Sequence, residues 1–103
     1  MEATLVLQYD APDEADSWFH GPHYAELAAV PGVVSARRYK LTRATEGWLK
    51  YLVVIESSDI DATLAWRNSP DGRRSQDEAS QHGVTKRTSA IYHCVCSVGT
   101  NSK

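Results

Sequence analysis

Two histidines placed three residues apart, His20 and His23, are the side chains best suited to acid–base chemistry in this sequence. An imidazole has a pKa of about 6.5, so it can accept and return a proton near neutral pH. The residues around them add three aromatic rings and a break in the backbone: Trp18, Phe19, Gly21, Pro22 and Tyr24. We expect His23 to be the main acid or base, with His20 and Tyr24 beside it.

Simpler interpretations of both histidines stay open. His23 would then be a structural residue that bonds a backbone carbonyl, and His20 a solvent-facing residue at a helix end. The spacing also suits two metal ligands on one helical face. Because Gly21 and Pro22 break that face and no third ligand is nearby in the sequence, we predict no metal site.

An apolar pocket near the histidines would need aromatic walls. We expect substrate contacts from the following side chains: Trp18, Phe19, Tyr51, Trp66 and His93. The alternative is that these residues are ordinary core. Arg38 is the candidate for holding a carboxylate or enolate, unless it forms a surface ion pair. Because side chains alternate along a strand, Arg38 and Tyr39 cannot point into the same cavity.

Four strands are predicted from the distribution of apolar and β-branched residues, over residues 2–9, 33–42, 48–56 and 84–96. The segment 48–56 is the most apolar, which favours a central strand that pairs with 33–42 as a hairpin. Cys94 and Cys96 would then lie on the last strand and point the same way. Cysteines at this spacing rarely form a disulfide, and we interpret them as small strand side chains.

Helices are predicted between the strands. The first is expected to begin with Asp13 as its N-cap and to be interrupted at Pro22, where a second helical piece would restart and run to about residue 29. Another helix follows Asp59, a turn is expected over 68–72, and residues 73–82 form a weak helix or an exposed loop. The order β-α-β-β-α-β is the ferredoxin-like arrangement.

The composition is that of an ordinary globular domain, with 42% hydrophobic and 23% charged residues. We expect one domain over residues 1–103. The net charge of -2 offers no basic surface to nucleic acid, and no apolar run approaches the roughly 20 residues that cross a bilayer. Met1 leads straight into a strand-like segment rather than a signal peptide, so we expect a soluble cytoplasmic protein.

The segment WFHGPHYAELAAVPGVVSARRY, residues 18–39, resembles the helix-to-strand signature of the EthD-like group of dimeric α+β barrels. The positions of that pattern are filled by Trp18, Phe19, His23, the turn Pro31-Gly32, and the strand sequence Ser-Ala-Arg-Arg-Tyr at 35–39. Such relatives usually carry acidic or polar residues between the aromatic pair and the histidine. This chain has His20, Gly21 and Pro22 there, and we expect the kink to reorient His23 and bring His20 alongside it.

The resemblance implies an α+β fold in which a four-stranded antiparallel sheet carries helices on one face. Two subunits of such proteins pack their open sheet faces into a barrel, so a homodimer is implied. An uncovered apolar sheet face would favour the same association. Members of the group include polyketide cyclases, lactone isomerases, decarboxylases and quinone-forming monooxygenases that need no metal or organic cofactor. The fold does not choose among these reactions.

The histidines and the resemblance together predict a cofactor-independent enzyme for a hydrophobic carbonyl compound or an aromatic, polyketide-like substrate. His23 would act as general base or acid, while His20, Tyr24 or Arg38 stabilises an enolate-type intermediate. Cyclisation, isomerisation and dehydration all begin with this proton abstraction, so the expected class is a lyase or isomerase of the cyclase or dehydratase type. Two alternatives remain open: a cofactor-free monooxygenase for a phenol or anthrone-like substrate, and a non-catalytic dimeric binding module.

Overall fold

The computed structural model describes residues 2–44 and 46–99. Its four strands form one antiparallel sheet in the order β2-β3-β1-β4. Their bounds are β1 Ala3–Asp10, β2 Val33–Lys40, β3 Tyr51–Ser57 and β4 Thr85–Tyr92. The predicted ferredoxin-like α+β arrangement is therefore confirmed, including the hairpin of β2 with β3 and the central position of β3.

Strict alternation along the two central strands gives the sheet a covered and an open face. The covered face carries the buried residues of β1 and β3: Ala3, Leu5, Tyr9, Tyr51, Val53, Ile55 and Ser57. Helical residues such as Phe19 and Ile60 join the same core. The open face carries Val6, Leu52 and Val54, which are only half-buried in the single chain.

The first helical segment is continuous from Asp13 to Ala28, and this corrects the predicted break and restart at Pro22. It begins with a 3-10 turn, Asp13–Ala15, continues as α1, Asp16–Trp18, passes through a π turn, Phe19–His23, and ends as α2, Tyr24–Ala28. The Tyr24 N–H donates to the Phe19 carbonyl. Proline lacks an N–H for the usual α-helical bond, and the wider π turn accommodates it without breaking the path.

Asp13 has a different role from the predicted N-cap. Its side chain makes no cap bond; it accepts a hydrogen bond of 2.5 Å from the Tyr51 hydroxyl and pairs with Lys50 at 2.9 Å. Both contacts hold the pKa of Asp13 well below its usual value, and the hydrogen bond from Tyr51 is the larger cause. The start of the helical segment is thereby tied to β3.

Two further helices, α3 (Ile60–Arg67) and α4 (Pro70–Gln81), follow β3. Asp59 caps α3 by accepting a bond from the Ala62 N–H at 3.2 Å, as predicted. The predicted turn at 68–72 is confirmed only at Asn68 and Ser69, because α4 already begins at Pro70 with Ser69 as its N-cap. Residues 73–82, predicted as a weak helix or a loop, are thus mostly the body of a regular helix.

The last strand is shorter than predicted and ends at Tyr92. Cys94 and Cys96 lie beyond it as exposed free cysteines, so their interpretation as strand side chains was wrong. Trp48, expected at the start of β3, lies before the strand and is 60% exposed. In the described part of the chain, no helix is long and apolar enough to cross a membrane.

Candidate active site

A cavity of about 90 Å³ lies between the sheet and the helices. Its walls are mainly apolar side chains, among them Leu5, Phe19, Leu27, Val53 and Ile55. The polar side chains on its walls include His23, Thr63, Ser75 and Gln76. The volume corresponds to about three water molecules, whereas an engineered cavity of about 150 Å³ in another protein binds benzene.

His23 leaves the π turn toward this cavity and is packed between aromatic rings. Its imidazole stacks on the Trp18 indole with centroids 4.4 Å apart and meets the edge of the Phe19 ring at 5.4 Å. Burial is the main cause that lowers the pKa of His23 below 6.5, and the carboxylates of Glu26 and Glu78 oppose it only partly. The imidazole is therefore mainly neutral at pH 7, the form that can accept a proton.

The Nδ1 atom of His23 lies 3.3 Å from the hydroxyl of Ser75, a buried residue of α4. The same hydroxyl helps to stabilise the carboxylate of Glu26. Burial raises the pKa of Glu26, but Arg74 and Ser75 outweigh it and hold that pKa below its usual value. Arg74 bonds Glu26 at 2.5 Å. A charged carboxylate held by Arg74 is thus a neighbour of the Ser75 hydroxyl that His23 contacts.

A second polar cluster surrounds Arg38, whose side chain is only 5% exposed. Its guanidinium donates to Asp16 at 2.6 Å and to the Tyr9 hydroxyl at 2.8 Å. It also lies over the rings of Phe19 and Tyr51, with the guanidinium carbon 4.1 and 3.9 Å from their centroids. A buried cation needs this number of partners, because an unpaired charge in the interior is strongly unfavourable.

His20 and Tyr24 lie beside that cluster. The Nε2 atom of His20 lies 3.3 Å from Nη1 of Arg38, and since a guanidinium only donates, the imidazole accepts. The rings of His20 and Tyr24 meet edge to face at 6.0 Å. Within residues 2–44 and 46–99, the buried side-chain polar atoms without a partner are the Tyr24 hydroxyl and Nη2 of Arg38.

The Phe19 ring lies between the two clusters, since it contacts His23 on one side and Arg38 on another. The cavity walls include His23 but not His20, Tyr24 or Arg38. Of the four predicted catalytic residues, the structure therefore brings three together around Arg38 and places the fourth in the cavity. The kink was expected to bring His20 alongside His23. This prediction was wrong, because His20 contacts Arg38 instead.

The predicted substrate-binding residues are also divided. Phe19 and Trp66 line the cavity. Trp18 packs behind His23 and stacks with His82 at 4.7 Å, while Tyr51 is buried under Arg38. His93 follows β4 and lines a separate polar groove of about 410 Å³ with Glu2 and Cys94, so the structure does not bring it to His23.

Several cavity residues were not predicted from the sequence. Helix α4 supplies Gly72, Ser75, Gln76 and Ala79, whose spacing of i, i+3, i+4 and i+7 is that of one helical face. That spacing is a usable signal, but the face is small and polar rather than apolar. Arg67 and Arg87 also line the cavity, and nothing in their local sequence pattern marks them.

Among residues 2–44 and 46–99, no three His, Cys, Asp or Glu side chains are placed to hold a metal ion together. The His20 and His23 rings contact different neighbours, Arg38 and Ser75 respectively.

Neither a protein-family model nor a curated protein matches this sequence. Solved structures match its fold over nearly their whole length. SnoaB, a cofactor-independent oxygenase from Streptomyces nogalater, has a TM-score of 0.72 at 19% identity, covering 96% of this chain and 98% of its own. An ethyl tert-butyl ether D (EthD) family protein from Bacillus halodurans has a TM-score of 0.68 at 15% identity, covering 92% and 100%.

A dimeric ferredoxin-like protein of unknown function from Thermobifida fusca has a TM-score of 0.68 at 14% identity, covering 91% of this chain and 92% of its own. At these identities the similarity concerns the fold. The EthD family protein among these structures agrees with the resemblance of residues 18–39 to that group. The chain thus has the ferredoxin-like fold on which EthD-type proteins and small oxygenases are built.

Proposed function

We propose that this chain is a small-molecule enzyme that needs no organic cofactor and uses His23 to move a proton within the cavity. The observation that carries the proposal is the position of His23: a mainly neutral imidazole in an apolar wall, with Nδ1 at 3.3 Å from Ser75. A base that is oriented by a second group is the arrangement expected for proton transfer.

In the proposed mechanism, Nδ1–H of His23 donates to the Ser75 hydroxyl, which donates in turn toward Glu26. The Nε2 atom is then free of its proton and takes one from the carbon next to a substrate carbonyl. The electron pair left behind forms an enolate, and the protonated imidazole, stabilised by Glu26, returns the proton at another position. Return to carbon gives an isomerase, while delivery to a departing hydroxyl gives a dehydratase and so a lyase.

The size of the cavity narrows the substrate. A space of about 90 Å³ takes a short acyl chain, and even a single ring requires the walls to shift. A fused-ring polyketide does not fit without displacement of α4 from the sheet. We therefore propose a small carbonyl compound with a short apolar body as substrate.

The experiment compares the chain with His23→Gln in a metabolite extract, with loss of each small carbonyl compound followed by mass spectrometry. Because glutamine cannot accept and return the proton, His23→Gln should slow turnover by about two to four orders of magnitude. His93→Gln is the matched control, because His93 is exposed and lines the other groove. Equal turnover by the chain and His23→Gln would rule the proposal out.

A second candidate is a cofactor-free monooxygenase that acts on a small phenol. It is favoured by the shared fold with SnoaB, a cofactor-independent oxygenase. His23 would then deprotonate the phenol, with Trp66 against the ring. Oxygen consumption that depends on His23 would support this candidate, whereas equal turnover without oxygen would support the isomerase or lyase.

We also infer that two copies of the chain associate through their open sheet faces. The similarity to a dimeric ferredoxin-like protein supports this, as do the half-buried Val6, Leu52 and Val54 on that face. Placing a charge there, as in Val54→Lys, should yield monomers in analytical ultracentrifugation. The control Arg43→Lys, in an exposed loop, should keep the mass of the dimer.

A further inference from the structure

Two arginines, Arg67 at the end of α3 and Arg87 on β4, lie on the wall of the same cavity. Both are half-buried. Burial lowers the pKa of Arg67, and the positive charge of Arg87 lowers it further. Two guanidinium groups of like charge thus share the wall of a largely apolar space.

The other arginines with reduced exposure or close neighbours are neutralised. Arg38 pairs with Asp16, and Arg74 pairs with Glu26 and Glu78. In residues 2–44 and 46–99, neither Arg67 nor Arg87 has a carboxylate within ion-pair distance. Two half-buried cations of the same sign cost free energy unless an anion compensates them.

The hydrogen bonds leave donors free for such an anion. Arg87 is anchored to α4 by bonds to the Gln76 carbonyl at 3.3 Å and the Ser80 hydroxyl at 3.1 Å. A guanidinium has five N–H donors, so Arg87 keeps further ones. The Arg67 side chain makes no hydrogen bond within the described chain and has its whole fork available.

We propose that Arg67 and Arg87 bind the carboxylate of a small monocarboxylic acid or keto acid whose apolar body enters the cavity. The fork of an arginine matches a carboxylate, and two positive charges at the edge of an apolar space select an anion with an apolar tail. This rests on the cavity being the substrate site, and it narrows the proposed substrate to a carbonyl compound that also carries an acid group.

Direct binding of simple probes tests the assignment. Butanoate and pentanoate are titrated into the full chain by calorimetry, beside their neutral counterparts butanamide and pentanamide. We expect the carboxylates to bind at least about tenfold more tightly than the amides, which is the size of a charge-assisted hydrogen bond. Arg67→Gln and Arg87→Gln should each remove that preference.

Arg73→Gln is the matched control, since Arg73 is an exposed residue of α4 outside the cavity. Arg87→Lys keeps the positive charge but lacks the planar fork, and it is measured if Arg87→Gln does not fold. The assignment is overturned if the amides bind as tightly as the acids, if the glutamine variants keep the preference, or if neither carboxylate shows saturable binding.

The carboxylate-binding test and the turnover test of the proposed function can fail independently of each other. His23→Gln should slow turnover by about two to four orders of magnitude while the preference for butanoate over butanamide persists, because the imidazole is not part of the arginine pair. Turnover that depends on His23 but no preference for carboxylates would retain the proton-transfer function and remove only this substrate class.

Discussion

The guanidinium carbon of Arg38 lies 4.1 Å from the centre of the Phe19 ring, and that ring is also a wall of the cavity beside His23. Arg38 therefore holds the π turn against the sheet without lining the cavity itself. Its bond to Asp16, at the start of the same helical segment, adds a second point of attachment. We infer that Arg38 positions His23 through Phe19 rather than touching a substrate in the cavity.

Replacing Arg38 by methionine should lower the free energy of unfolding by about 2 kcal/mol, since the buried Tyr9 hydroxyl loses its donor and both aromatic contacts weaken. Arg38→Lys keeps the charge but cannot reproduce the planar contact, so we expect an intermediate loss. Urea denaturation measures both. Arg43→Met, in an exposed loop, is the control and should be close to neutral; equal stability of Arg38→Met would contradict the positioning role.

The pKa of His23 makes the stability depend on pH. Because burial lowers that pKa in the folded state, the unfolded chain binds a proton more readily below pH 6.5. The free energy of unfolding should therefore fall as the pH drops from 6.5 toward the folded pKa of His23, with a slope of at most about 1.4 kcal/mol per pH unit.

Denaturation curves at a series of pH values test this linkage. His23→Gln should remove that part of the slope, whereas His93→Gln should retain it because His93 is exposed. The buried-imidazole interpretation fails if the slopes of the chain and of His23→Gln agree between pH 5 and 7. The pKa values of Asp16 and Glu26 are also lowered in the folded chain. Their protonation therefore lowers the free energy of unfolding as well, at lower pH than that of His23.

The hydroxyl of Ser75 should fix the tautomer of His23. Donation from Nδ1 to Ser75 predicts the Nδ1–H form, which leaves Nε2 as the acceptor needed for catalysis. Nitrogen-15 NMR of the imidazole distinguishes the two forms. Ser75→Ala should give the mixture typical of a free imidazole, and Ser80→Ala on the exposed side of α4 should not. A dominant Nε2–H form in the unaltered chain would exclude the proposed base.

Tyr24 should tolerate loss of its hydroxyl. That oxygen is buried and has no hydrogen-bond partner among residues 2–44 and 46–99, and burial raises the pKa of Tyr24. Tyr24→Phe should therefore leave the free energy of unfolding unchanged or raise it by about 1 kcal/mol. Thermal and urea denaturation measure this. A loss of more than about 1 kcal/mol would mean that the hydroxyl has a partner, such as a bound water shared with Arg38.

The features that the sequence predicted well are those with a local cause. Alternation along a strand predicts that Arg38 and Tyr39 lie on opposite faces, and their pairing with Val53 and Leu52 confirms it. Asp59 is a cap because its carboxylate reaches the Ala62 N–H three residues on. Such signals need no knowledge of what the element packs against.

The parts that could not be predicted depend on tertiary contacts. Helix α4 buries Gly72, Ser75 and Ala79. Because these side chains are small, the sequence of α4 shows no stripe of large apolar residues that would predict its covered face. Within the π turn, bonds reaching five residues back rotate the chain differently from an α-helix, so His20 and His23 no longer share a face. The division of the site by Phe19 follows from that one turn.

The turn that leads from the histidine segment into β2 should tolerate little change at Gly32. Gly32 has a φ of +86°, and a Cβ there would lie 2.6 Å from the Asp59 carbonyl oxygen and 2.8 Å from the Thr63 hydroxyl. The same hydroxyl bonds the Pro31 carbonyl at 2.7 Å, which ties the turn to α3. Gly32→Ala must therefore accept both a left-handed conformation and a collision with backbone.

We expect Gly32→Ala to lose at least about 2 kcal/mol in the free energy of unfolding, measured by urea denaturation. Gly47→Ala is the matched control, because Gly47 has a similar φ of +81° but an added Cβ meets nothing within 4 Å. It should lose only the conformational part, about 1 kcal/mol. If the two variants lose the same amount, the packing of the turn against α3 contributes nothing, and the attachment of the His23 segment to β2 rests on the conformation of Gly32 alone.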